Sequence, residues 1–233
     1  MKHLIFVFFI IHLTTKLSSL AIAQEVKGID LGISVVSGQS SYNRKYYGQA
    51  QLPPGRITDI KSNYLIGTSV WGESYITSHL SSIVEIAYTQ IDVPTNTLCD
   101  CNYRGSIWLQ NEKHHWGSFG TGVRYYFNPE SIIKIFASVK LKGDWLVANT
   151  IKKDDVKKTN WDAFGYRRFA PSFEFDIGVK WNRLALDLGY SSNIARTFTR
   201  DAGEYDQVIY PFKTGILTHQ LFGKLSYTAF KIR

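Results

Sequence analysis

Phe173-Glu174-Phe175-Asp176-Ile177-Gly178-Val179-Lys180-Trp181 is followed by Asn182-Arg183 and then by Leu184-Ala185-Leu186-Asp187-Leu188-Gly189-Tyr190. In both runs large apolar residues alternate with small or charged ones. A period of two belongs to a β-strand, whose successive side chains point to opposite faces. The two residues between the runs match a tight hairpin, with Asn182 where positive φ is tolerated. The stretch reads as two antiparallel strands, each with one apolar and one polar face.

The same alternation recurs on both sides of this hairpin. It runs through Ile29–Val35, Ile66–Trp71, Leu80–Thr89, Phe119–Phe127, Ile133–Lys142 and Leu221–Thr228, giving eight expected strands, with ten as the alternative count. Most are about 9–12 residues long. Crossing a bilayer takes about 9–11 residues of tilted strand, whereas strands of soluble sheets average about 5–6. The connections alternate in length. Segments 73–78, 128–132 and 182–183 are tight, and segments 37–62, 91–116, 148–170 and 198–215 are long and polar. Short turns on one side and four long loops on the other are the layout of an up-and-down transmembrane β-barrel. Aromatics reinforce it: Trp71, Phe127, Trp181 and Tyr227 lie near the short-turn ends, and Tyr88, Phe119, Trp145, Phe173 and Tyr190 near the loop ends, as two interfacial belts require.

The N-terminus sets the compartment. Lys2, an apolar run from Leu4 to Leu13 and Ala21-Ile22-Ala23 form the charge, core and small-x-small order of a secretory signal peptide, with cleavage expected before Gln24. The apolar run falls short of the roughly 20 residues a spanning helix needs. Residues 1–23 are therefore expected to be the signal and 24–233 a single barrel domain in the outer membrane, in contact with its lipid. The net charge of +8 is spread along the chain rather than gathered in one stripe, which argues against a nucleic-acid partner. The densest charge run, Lys152-Lys153-Asp154-Asp155-Val156-Lys157-Lys158, mixes signs as a solvated loop does.

Gly117-Ser118-Phe119-Gly120-Thr121-Gly122-Val123-Arg124-Tyr125-Tyr126-Phe127-Asn128-Pro129 resembles a recurring strand of small, porin-like or PorT-like outer-membrane β-barrel families of Bacteroidota-type bacteria, in which a Gly-rich strand ends in Arg-Tyr-Tyr-Phe before an Asn-Pro turn. Ile132–Val147 and the aromatic closing strand are similar as well. The resemblance implies the barrel fold and brings no catalytic residues. The chain departs from the usual closing strand in that Lys231-Ile232-Arg233 follows Phe230.

Three groups of residues could carry chemistry. Glu85, Arg124, Lys134, Lys140, Lys142, Glu174, Asp176, Lys180 and Asp187 fall on the polar, inward face. An eight-stranded interior is only wide enough for side chains to fill it, so these charges are expected to pair, Lys180 with Asp187 across the hairpin. In the second long loop, Cys99 and Cys101 with His114 and His115 offer soft-metal donors, but the spacing fits no standard zinc site. A disulfide or free thiols is the expectation, and no cofactor. Outward-facing His219 has no evident nucleophile or orienting acid beside it, and no hydrolase, metalloprotease or phosphate-loop motif occurs. The chain is therefore expected not to be an enzyme. It should instead be an anchor or interaction protein that meets an extracellular or envelope protein through Tyr42, Tyr46, Tyr47, Trp108, Trp116, Trp161, Tyr166, Arg167 and Arg168. Narrow passive transport through the lumen is the alternative.

Overall fold

The computed structural model describes residues 28–47, 60–93, 112–153, 156–160, 169–194, 198–200, 203–205, 208–210 and 213–232. The expected signal, 1–23, lies outside them. Twelve strands follow in order: β1 (Ile29–Tyr47), β2 (Ile60–Tyr75), β3 (Leu80–Val93), β4 (Glu112–Tyr126), β5 (Ile133–Lys153), β6 (Val156–Asn160), β7 (Phe169–Trp181), β8 (Leu184–Asn193), β9 (Phe198–Arg200), β10 (Gly203–Tyr205), β11 (Val208–Tyr210) and β12 (Lys213–Ile232). Eight of them, β1-β2-β3-β4-β5-β7-β8-β12, pair in that order, and β12 pairs with β1 to close the wall. Every pairing in the wall is antiparallel. The chain is a closed, eight-stranded up-and-down β-barrel. Short β6 and β9 pair only with the loop-side parts of β5 and β12, and β10–β11 form a separate hairpin.

The tight turns have local causes. Asn182 adopts φ 53° between Trp181 and Leu184, which face each other across the hairpin. Thr77 Oγ1 accepts from the amides of His79 and Leu80. The Asn128 side chain donates to the Ile133 carbonyl and accepts from the Ile135 amide, closing the 128–132 turn. At the closing seam the register shifts between Leu31 and Gly32, which face Phe230 and Thr228. The extra residue, Ala229, lets Phe230 turn outward, where it is 68% exposed.

Several strands are longer than the alternation suggests. β1 has 19 residues, β5 has 21 and β12 has 20. Residues 37–47 of β1, 148–153 of β5 and 213–215 of β12 fall in the segments read as loops from sequence. There the backbone ladder continues while neither face need be apolar, so the period of two fades from the side chains before the strand ends.

The outer face is apolar: Val70, Ile86, Leu188 and Leu221 are 62–68% exposed. Water would penalise such a surface, and hydrocarbon accommodates it. Phe127, Trp181 and Tyr227 at the turn side and Tyr88, Phe119, Trp145 and Phe173 at the loop side are exposed, and Tyr190 is partly so. Trp71 does not join the belt. It is buried and lies inside, directly opposite Gly32. The same device recurs, with Phe136 opposite Gly178 and Phe222 opposite both Gly38 and Gly189. Each inward ring occupies room that a neighbouring Cβ would need. At Gly178 that Cβ would sit 2.8 Å from Phe136 Cζ and 2.5 Å from the Leu186 carbonyl oxygen.

Overpacking of this kind costs about 1–3 kcal/mol. Gly178→Ala is expected to lower stability by that amount in urea unfolding from detergent micelles. The wild type should show separate boiled and unboiled gel bands, and the variant should convert at a lower temperature. Unchanged unfolding would mean that Phe136 does not depend on the glycine.

Candidate functional site

The inward face gathers charges from every wall strand. Near the turn side, Lys180 on β7 donates to Asp30 Oδ2 at 2.9 Å, to Glu73 Oε2 at 3.0 Å and to the Tyr75 hydroxyl at 2.8 Å. Glu73 also accepts from Tyr126 at 2.7 Å, Ser81 at 2.6 Å and Arg124 at 3.3 Å. Arg124 Nε donates to Ser138, and its guanidinium lies 4.0 Å over the Phe136 ring. Further in, Glu85 binds Lys140 at 2.7 Å and Lys224 at 3.0 Å. Glu174 accepts from Lys140, from Lys224 at 3.1 Å and from Lys142 at 3.1 Å. Asp176 lies 3.4 Å from Lys140. These charges are buried, and burial of an ion is tolerated when partners replace its lost hydration.

Apolar packing flanks the ion pairs. Toward the loops, Val36, Leu65, Ile91, Trp116, Leu146, Ala170 and Phe222 form one buried cluster. At the turn side, Tyr126, Phe136 and Ala185 form another with Tyr75 against it. The interior is thus less polar than the sequence pattern suggests. A small recess above the ion pairs is lined by Thr89, Ser118, Lys142, Asp144, Asn193 and Gln220.

Glu85, Arg124, Lys140, Glu174, Asp176, Lys180 and Asp187 all lie buried inside, and Lys134 is half-buried at the turn-side mouth, 6.0 Å from the centre of the Tyr126 ring. Lys180 and Asp187 do not bond. The register sets Ala185 opposite Lys180 and Asp187 opposite Gly178, and the long Lys180 side chain crosses the lumen to two carboxylates on β1 and β2. Neither carboxylate oxygen of Asp187 has a hydrogen-bond partner among the described residues. Asp30, Glu73, Asp144 and Lys224 belong to the charged interior but were not singled out from sequence. Alternation puts Asp30 and Lys224 on the polar face, and Glu73 is hidden in a stretch that reads as a turn.

Among the loop candidates, Tyr46 and Tyr47 end β1 opposite Thr214 and Lys213. Trp116 is no loop contact, since it is buried in the lumen cluster. Tyr42 pairs in register with Thr218 and Ile60. Trp108, Trp161, Tyr166, Arg167, Arg168, Cys99 and Cys101 lie outside the described residues. His114 and His115 take opposite faces of β4. His114 is fully buried, whereas His115 is outward and bonds Tyr88 and Thr150. That divergence keeps the two imidazoles from sharing a metal ion in this conformation. His219 has neighbours that the sequence did not reveal: the Tyr190 hydroxyl lies 2.7 Å and Ser192 Oγ 3.1 Å from its Nδ1. Both hydroxyls address the same ring nitrogen, Ser192 is buried, and among the described residues no acid meets Nε2 to orient the ring.

No protein-family model and no curated protein matches the chain. Among solved structures, Neisserial surface protein A is similar at 12% identity and TM-score 0.43, over 87% of this chain and 99% of that one. Pseudomonas aeruginosa OprG is similar at 12% identity and TM-score 0.42, over 87% and 95%. AlkL, solved in lipid bilayers, is similar at 12% and 0.42, over 87% and 92%. At such identity no residue's role passes from one to another.

Removing one partner from a buried pair costs about 3–5 kcal/mol, because the other charge is left uncompensated. Lys180→Ala is expected to destabilise the barrel by that much in urea unfolding. The double change with Glu73→Ala should cost clearly less than the sum of the single ones. Additive losses would mean that the two groups are energetically independent.

Proposed function

We propose that this protein is an outer-membrane anchor whose loop side meets an extracellular or envelope protein. The observation that carries the reading is the filled lumen. Glu85, Arg124, Lys140, Glu174, Asp176 and Lys180 are engaged with one another or with neighbours across an interior just wide enough for side chains. Apolar clusters lie on either side of them. A network tied to itself in this way leaves little for a passing solute.

The long strands support the same reading. A strand rises about 3.3 Å per residue, so at a tilt near 40° each residue adds about 2.5 Å of height. The 21 residues of β5 then climb about 50 Å, roughly twice an apolar band of about 25 Å. The wall continues beyond the membrane as paired backbone. Tyr46 and Tyr47 sit at its upper margin, and the segments carrying Trp108, Trp161, Tyr166 and Arg167 connect these extensions. Aromatic and Arg side chains on a rigid support suit protein recognition. The Bacteroidota assignment is supported by the Gly117–Pro129 stretch, with Ile132–Val147 and the closing strand beside it, and export by the signal-like residues 1–23.

The purified protein is expected to show little or no steady conductance in planar bilayers. Arg124→Ala should lower unfolding stability without opening a channel. Gentle crosslinking in native membranes should trap a partner protein through the loop side. Reproducible single-channel steps from the wild type would overturn the anchor reading in favour of narrow passive transport.

A further inference from the structure

One arrangement occurs twice on the outer face. Between β3 and β4, the Tyr88 hydroxyl lies 2.6 Å from Nδ1 of His115, with the rings stacked 6.1 Å apart. Between β8 and β12, the Tyr190 hydroxyl lies 2.7 Å from Nδ1 of His219, with the rings 6.2 Å apart. In the wall order these strand pairs are on opposite sides of the barrel. A phenol donating to Nδ1 leaves the neutral imidazole's own hydrogen on Nε2.

The two copies differ in what that N–H meets. His115 Nε2 reaches Thr150 Oγ1 at 3.0 Å. Both hydrogen bonds of His219 go to Nδ1, and its Nε2 has no partner among the described residues. The ring is partly exposed on the outer face, 11 residues above Phe230 along β12. With the bulged Ala229 discounted, that is ten ladder steps or about 25 Å of height, which puts the ring at the upper edge of an apolar band of about 25 Å. With no acceptor among the described residues, an N–H at that level can be met by a lipid headgroup.

The wall beneath His219 has a shape of its own. Leu221 and Leu188 are 65% and 68% exposed, and outward-facing Gly223, two residues along β12 from Leu221 and directly opposite Leu188, leaves a side-chain-sized gap in that surface. A Cβ placed there would meet nothing closer than Leu188 Cδ2 at 3.9 Å. We propose that this side of the barrel holds one outer-leaflet lipid. His219 Nε2–H donates to a phosphate oxygen, and an acyl chain lies in the Gly223 notch. Tyr190 is the positioning residue that fixes the tautomer. A hydrogen bond to an anionic oxygen is about twice as strong as a neutral one, which favours phosphate over an ester carbonyl. The apolar notch favours a lipid over a free anion. The assignment is independent of whether the loops bind a protein partner.

The test uses the full mature chain, labelled with [15N]His, in nanodiscs containing phosphatidylglycerol in one arm and lipopolysaccharide in the other. Solid-state NMR should show 31P dephasing of the His219 Nε2 signal and much weaker dephasing of His115. The arm in which it appears identifies the lipid. Tyr190→Phe should transfer part of the signal to the other tautomer, and Gly223→Leu should reduce the dephasing at least twofold with the folded gel band intact. No dephasing at His219 in either arm, or equal dephasing at His115, would overturn the proposal, and neither outcome needs a variant to fold.

Discussion

The pairing of β12 with β1 is the constraint on which the rest depends. In hydrocarbon an unpaired backbone N–H or C=O has no water to turn to, and each would cost several kcal/mol. A sheet can enter such a medium only when its two edges satisfy each other. The register from Ile29↔Ile232 to Tyr47↔Lys213 does this along the full length of both strands, with one bulge. Once the wall is closed, each strand has an outside that must suit lipid and an inside that must suit its own neighbours. The alternation of Phe173–Trp181 and Leu184–Tyr190 expresses those two demands in residues.

Eight strands also make the inside narrow. Long cations span it, so Lys180 on β7 reaches Asp30 and Glu73 on β1 and β2, and Lys224 on β12 reaches Glu85 on β3. These bonds tie opposite walls together as well as neutralising charge. The inward rings need space that only glycine releases, hence Trp71 over Gly32 and Phe136 over Gly178. The anchor proposal follows from the same narrowness, because the groups that make the interior tolerable also fill it.

The outer face is less uniform than a hydrophobic band. At the loop-side margin, aromatic and imidazole rings meet across strands as Trp145–Phe169, Phe173–Tyr190 and Tyr190–His219. Rings with a polar edge suit the boundary between acyl chains and headgroups. His115 and His219 each have a tyrosine partner of their own, Tyr88 and Tyr190, and differ in that His115 Nε2 also reaches Thr150.

The sequence by itself determined the barrel class, the eight wall strands and the sidedness of the loops. Period-two alternation and Asn182 in the hairpin are local features, and each is written in consecutive residues. It also placed Glu85, Arg124, Lys140, Glu174 and Asp176 on the inner face, since parity along a strand needs no knowledge of its neighbours. Only the tertiary structure decided who meets whom. Asp187 lies near Lys180 along the hairpin, yet Lys180 turns to carboxylates more than 100 residues away, a choice set by the barrel's diameter and the stagger of its strands. The inward turn of Trp71, the separation of His114 from His115 and the grouping of Tyr190 and Ser192 around His219 have the same origin. Each depends on which residue of a neighbouring strand lies alongside, and closure of the wall fixes that.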